Sequence, residues 1–231
     1  MQRAFLYGDL VFETMLWENG QIRFFNLHME RLHHSFSLLQ FEDNIDEHLL
    51  HQTIAARAKY YDKARVRLTF YRDADGFYLP QNNQTAFEVE IYPIKQHSEM
   101  IDLVGIYRGQ YKSCSSLSNL KSGNALVYVL ASLYVKQQQW NDAIILNEHG
   151  RICEATSSNI IIKLDGAYIT PPLSEGCVDG IYRKACLQQL DNRFPHLIEL
   201  PITLENLGVA HEIWLCNAIN GPRKVGKLLL S

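Results

Sequence analysis

The chain has 231 residues, 47% of them hydrophobic, enough to bury one large core or two smaller ones, and nothing in its composition suggests disorder. The formal net charge is -3 and the 22 basic residues are spread along the chain, which excludes the concentrated positive footprint of a nucleic-acid binder. No apolar run approaches the roughly 18 residues that span a bilayer, and MQRAFLYGD lacks the charged-then-apolar order of a secretory signal, so a cytoplasmic protein with no membrane partner is expected.

In chain order, VFETMLWENGQIRFFN holds two β-rich runs around Asn19-Gly20, a pair suited to the positive φ of a tight hairpin turn. Asn26 is placed to cap a helix in which His28, Leu32, Phe36 and Leu39 form a stripe, with Arg31 and Ser35 at its edge. A second helix is expected over 46–61. ARVRLTFYR then alternates, with Val66, Leu68 and Phe70 on one face and Arg65, Arg67 and Tyr71 on the other. FEVEIYPI, 87–94, is a further strand closed by its proline.

The stretch RGQYKSCSSLSNL, 108–120, is long, Ser/Gly-rich and without periodicity, so the division is expected inside it, with domains at 1–112 and 113–231. Beyond it, Ala125, Val129 and Leu133, beside Leu126 and Leu130, form a helical stripe. Strands follow at DAIIL, RICEA, NIIIK and AYIT, separated by NEHG and LDG turns; a helix starts near Gly180, and EIWLCNA is a buried strand. Five cysteines at wide spacings, with no CxxC pair, argue against a disulfide framework and against a zinc site, and no metal is expected.

Four residues or segments carry possible chemistry. A lysine at an element boundary can form a Schiff base with a carbonyl, and Lys121 lies in such a place, although a lysine before a helix is more often a solvated surface residue. The N-terminus of the Gly180-Ile181-Tyr182 helix offers backbone N–H groups to a phosphate. Arg31 can add a bidentate phosphate contact, against the commoner reading of a surface arginine. Glu154 ends a strand before a run of small residues and can hold a heterocyclic nitrogen protonated, or be an exposed strand-end acid. Together they ask for a phosphorylated aldehyde with a ring nitrogen, which describes pyridoxal 5′-phosphate.

From YGDLVFET (7–14) through HMERLHHSF (28–36), NLKSGN (119–124) and GRICEATSSNIII (150–162) to GIYR (180–183) and LCNA (215–218), the chain resembles the class IV pyridoxal-phosphate aminotransferases. That family includes branched-chain and D-amino-acid transaminases and 4-amino-4-deoxychorismate lyase. The resemblance implies an α/β (α+β) architecture of fold type IV: a small N-terminal α/β domain and a larger cofactor-binding domain with a barrel-like sheet. It implies that Lys121 condenses with the cofactor and later shuttles a proton, and that Glu154 pairs with the pyridine nitrogen. Arg31 would bind the phosphate with backbone N–H groups at Ile181 and Tyr182 and at Asn217 and Ala218. Ser157, Ser158 and Asn159 would shape the wall beneath the ring. It also implies a homodimer in which Tyr7 reaches the neighbouring subunit's site. Arg67 and Arg72 match positions where family branches hold a substrate carboxylate.

Within the family, Leu126 stands where transaminases often place an aromatic residue, Thr14 where branched-chain enzymes carry glycine, and LCNA is closer to the lyase than to the transaminases. The expectation is therefore a lyase that forms 4-aminobenzoate and pyruvate in folate biosynthesis, with Thr14 assisting proton transfer. An amino-acid transaminase is the alternative, followed by a non-catalytic relative. Tyr182 replaces a small hydroxyl residue, which leaves its backbone N–H as the phosphate contact. The chain begins near YGD and stops soon after LCNAINGPRKV; this is expected to spare cofactor binding and to weaken substrate enclosure.

Overall fold

The computed structural model describes residues 2–94 and 98–230. The chain divides into two compact units, Met1–Gln96 with Lys121–Asn124, and His97–Leu120 with Ala125–Ser231. This departs from the expected division after residue 112.

The first unit opens with α1 (Gln2–Tyr7), followed by β1 (Leu10–Glu18) and β2 (Gln21–Ile22). Asn19 and Gly20 turn the hairpin with φ of 53° and 77°, as their side chains allow. Then come α2 (Phe25–Leu39), α3 (Glu47–Ala58), β3 (Lys63–Arg72) and β4 (Thr85–Pro93), and the strands order as β2-β1-β3-β4, all antiparallel. Alternation along β1 and β3 sends Val11, Met15, Val66, Leu68 and Phe70 into a core with Leu32 and Phe36 of α2 and Ile54 of α3. The cap of α2 is not Asn26: Phe24 takes the left-handed conformation at the N-cap and makes no side-chain cap hydrogen bond. Asp46 does cap α3, accepting from the Leu49 N–H at 2.9 Å.

In the second unit β5 (Met100–Lys112) runs on through the segment expected to be a loop, and a short 3-10 turn covers Ser116–Asn119. Next are α4 (Leu126–Gln138), β6 (Asp142–Asn147), β7 (Ile152–Ala155), β8 (Asn159–Leu164) and β9 (Ala167–Thr170). They are followed by α5 (Ile181–Leu187), β10 (Ile198–Glu199), α6 (Leu204–Val209), β11 (Glu212–Asn217) and β12 (Gly221–Leu228). The eight strands form one curled sheet in the order β10-β9-β8-β11-β12-β5-β6-β7. Because β5 pairs in parallel with both β6 and β12, residues 100–112 belong to this unit. Ile144, Leu146, Ile152, Ile160, Ile162 and Leu215 form the centre of its core.

The stripe read from α4 is reversed in the fold. Val127, Tyr128, Ala131, Tyr134 and Val135 pack toward Tyr107, Ala143 and Ile145, while Leu126, Val129, Leu130 and Leu133 are exposed. The helix is apolar around most of its circumference, so periodicity could not choose the buried face. Among the described residues no helix is long and apolar enough to cross a membrane.

Candidate active site

In the first unit the period of β1 separates two jobs. Glu13 points with Val11 and Met15 to the core side, where it is buried. Arg31 of α2 donates from Nε to Glu13 Oε1 at 2.8 Å and from Nη2 to Oε2 at 2.5 Å, and His28 Nδ1 lies 2.6 Å from the same Oε2. Burial alone would raise the Glu13 carboxyl, but the charges of Arg31 and His28 and their hydrogen bonds outweigh it and hold it at about 2. Burial pushes His28 down, with Arg31 and Lys121 adding to the effect against Glu13. A neutral imidazole that donates its Nδ1–H to Glu13 follows, leaving the buried Nε2 as a lone pair with no hydrogen-bond partner among the described residues. Arg31 is therefore a buried, bidentate arginine and not a surface one.

The neighbouring positions Phe12 and Thr14 face the other way. On β3, Thr69 lies opposite Phe12 and Arg67 opposite Thr14. The Arg67 guanidinium carbon is 4.0 Å from the Phe12 ring centroid and Lys121 Nζ is 4.7 Å from it. The main chain fixes the lysine: the Phe12 N–H donates to the Lys121 carbonyl at 2.8 Å, Gly123 N–H to the Leu10 carbonyl at 3.2 Å, and Val11 bridges Ser122. Lys121 thus extends the sheet beside the start of β1, with its amine over the Phe12 ring. It is half-buried, on a strand-like anchor instead of at a helix start.

Arg72 is engaged with neighbouring segments of its own unit. Its side chain is buried and donates to Asp9 at 3.0 Å, to the Gln40 and Leu39 carbonyls at 3.3 and 2.7 Å, and to Asn83. Those bonds tie four chain segments together, whereas the Arg67 side chain is 30% exposed with Glu90 at 3.8 Å. Tyr7 packs on Tyr78, with ring centroids 5.4 Å apart.

In the second unit Glu154 is buried, which excludes the exposed strand-end reading. Its Oε1 accepts from Lys112 Nζ and, at 2.6 Å, from the Tyr128 hydroxyl; Oε2 accepts from the Val178 N–H at 3.1 Å. Burial first and then the Glu154 charge push the Tyr128 hydroxyl far up, so it stays a donor. Ser158 is buried and its Oγ accepts from Asn217 Nδ2 at 3.1 Å. The Asn217 side-chain oxygen accepts from the N–H groups of Ile219 and Asn220, closing the turn that carries Ala218. Ile181 and Tyr182 begin α5, where first-turn N–H groups lie, and the Tyr182 hydroxyl donates to Asp191 at 2.7 Å, so its ring is turned away from that end's chemistry.

The residues fit pyridoxal phosphate on donor chemistry. A carboxylate has about four lone-pair sites, and three donors on Glu154 leave Oε2 one to offer a ring N–H. Taken unit by unit, an amine and a guanidinium in the first are of the kind that suits an aldehyde and a phosphate, and first-turn backbone N–H groups in the second are of the kind that suits a phosphate.

Residues 10–228 match the amino-transferase class IV family. The chain belongs to this family. A class IV relative, the aminodeoxychorismate lyase of Vibrio harveyi, is 25% identical over 96% of this chain and 84% of its own. The branched-chain-amino-acid aminotransferase of Escherichia coli strain K12 is 24% identical over 93% of this chain and 74% of its own. The solved 4-amino-4-deoxychorismate lyase of Pseudomonas aeruginosa superposes with a TM-score of 0.85 at 24% identity, covering 98% of this chain and 85% of that one, which establishes the class IV fold.

Sequence reasoning missed Glu13, Phe12, Lys112 and Tyr128. Glu13 left a signal, an acid at a core-facing position of an alternating strand.

Proposed function

We propose that the protein is a pyridoxal-phosphate-dependent aminodeoxychorismate lyase, which converts 4-amino-4-deoxychorismate to 4-aminobenzoate and pyruvate. The observation that carries this reading is the Lys121 amine and the Arg67 guanidinium both held against the Phe12 ring, in a chain similar along nearly all its length to a lyase. When bound, the cofactor supplies an aldehyde for the substrate amine and a protonated ring that accepts electrons from the neighbouring C–H.

The chain's own residues do the rest. Lys121 takes the ring proton of the substrate, and Thr14 helps a proton reach the departing enolpyruvyl group. Arg67 pairs with a substrate carboxylate, with its charge held against the Phe12 ring. Glu154 would keep a proton on the pyridine nitrogen, and Lys112, Tyr128 and Val178 hold that carboxylate in place. Arg31, oriented by Glu13, would hold the cofactor phosphate, for which backbone N–H groups at Ile181, Tyr182, Asn217 and Ala218 would be the other partners. Ser158 shapes the wall beneath the ring.

A homodimer is the proposed assembly, with Tyr7 reaching the partner's site; the exposed apolar residues Leu126, Val129, Leu130 and Leu133 on α4 support a covered face. All five cysteines are thiols, in keeping with a reducing cytoplasm.

The test is one assay with 4-amino-4-deoxychorismate and no added keto acid. Release of pyruvate and 4-aminobenzoate, abolished by Lys121→Ala and slowed by Thr14→Ala, is expected. Turnover only when an amino acid and a keto acid are both supplied would replace the lyase reading with the transaminase one, which the E. coli relative favours.

A further inference from the structure

Where β5 ends, the chain turns through Ser113 and Cys114 and meets the β6–β7 turn at Glu148 and His149. The Cys114 thiol, a Glu148 carboxylate oxygen and a His149 ring nitrogen all lie within 4.8 Å of one another. Cys114 and Glu148 are 34 positions apart, so no sequence spacing announces the group. The backbone fixes it from both sides. Glu148 N–H donates to the Lys112 carbonyl at 3.0 Å, Cys114 N–H to Glu148 Oε1 at 2.7 Å, and the Asn147 side-chain oxygen accepts from the N–H groups of His149 and Arg151, both at 3.0 Å.

We propose that Cys114, Glu148 and His149 bind a zinc ion with one coordination position left to water. Thiolate and imidazole together select a borderline-soft divalent ion over magnesium or calcium, which prefer oxygen alone. Bonds of about 2.0–2.3 Å in a tetrahedron put donor atoms roughly 3.3–3.8 Å apart, so the group needs to contract by only about 1 Å. Glu148 and His149 are exposed and can rotate to do so. Two cations act on the Cys114 thiol, and each is paired with an acid. Arg151 is bound to Glu175 through Nε at 2.6 Å and Nη2 at 2.9 Å, and Lys112 is bound to Glu154. As the zinc–sulfur bond forms, the thiol proton leaves to solvent.

The experiment is direct metal binding by the full chain, stripped with a chelator and returned to metal-free buffer. Zinc is titrated against a chromophoric indicator, and cobalt(II) serves as a spectroscopic probe. A single tight zinc is expected, with affinity at least about ten-fold weaker in both Cys114→Ser and His149→Ala and unchanged in the exposed-site control His211→Ala. The sulfur-to-cobalt charge-transfer band is expected in the wild type and absent from Cys114→Ser. No stoichiometric binding, or binding that either variant leaves intact, overturns the proposal. Should a variant fail to fold, thiol alkylation of the wild type decides: Cys114 is half-buried and the other four cysteines are buried, so zinc must protect the reactive thiol. Unprotected alkylation overturns the site.

Discussion

Arg31 and Glu13 meet edge to edge, with Nε on one carboxylate oxygen at 2.8 Å and Nη2 on the other at 2.5 Å, in a core that excludes water from both. Glu13→Gln removes the charge and leaves the guanidinium buried without its counter-ion, so a loss of about 3–5 kcal/mol in unfolding free energy is expected from urea titration.

The same pair sets an acid limit. Glu13 moves from 4.5 to about 2 on folding, worth about 3 kcal/mol in full above pH 4.5 and lost as the pH falls toward 2. His28 acts in the same direction: lowered below 6.5 by burial, it costs stability once the unfolded imidazole protonates below that value. Unfolding of wild type and Glu13→Gln across pH 3–7 should show a steep acid slope in the first and a shallower one in the second. Parallel slopes would contradict the assignment.

His33 should act with the opposite sign. Burial lowers it, but hydrogen bonds to Asp43 at 2.5 Å and Glu47 at 2.8 Å outweigh that and raise it above 6.5. Its contribution is complete below pH 6.5 and is lost as the pH rises through the raised value. Solvent screening limits it to about 1 kcal/mol, so His33→Gln should remove a small alkaline decline in melting temperature and little else.

Much of this was legible in the chain and some was not, for identifiable reasons. β1, β3, β6 and β8 announced themselves because one-sided or complete burial writes alternation or a β-branched run, and Asn19-Gly20 and Asp165-Gly166 marked turns by needing positive φ. The start of α2 was misplaced because Phe24, a poor left-handed residue by propensity, is held there by the fold. Lys121 and Glu154 were visible, but Lys112 and Tyr128 stand 42 and 26 residues from Glu154, and only folding brings them to it.

Lys112→Met tests that convergence. It strips a buried carboxylate of its cation and should cost several kcal/mol and reduce retained cofactor, read by absorbance. Lys224→Met breaks the half-buried, solvent-accessible pair with Glu212 at 3.1 Å and should cost under about 1 kcal/mol with cofactor content unchanged. Equal losses in the two variants would argue against a special role for Lys112.

Gly105 in β5 lies directly under Trp140: a Cβ built there would come within 2.0 Å of the indole ring. Gly105→Ala should therefore displace Trp140, lowering stability by about 1–3 kcal/mol and shifting tryptophan emission.

The alternation of β1 leaves even and odd positions under separate constraint. Residues 11, 13 and 15 answer to the interior, while 12 and 14 lie on the half-buried side, where Phe12 meets Arg67 and Lys121. Selection, natural or in the laboratory, can rewrite Phe12 and Thr14 without touching the hidden ion pair one residue away. A single-residue deletion in this strand would exchange the two roles and ruin both at once.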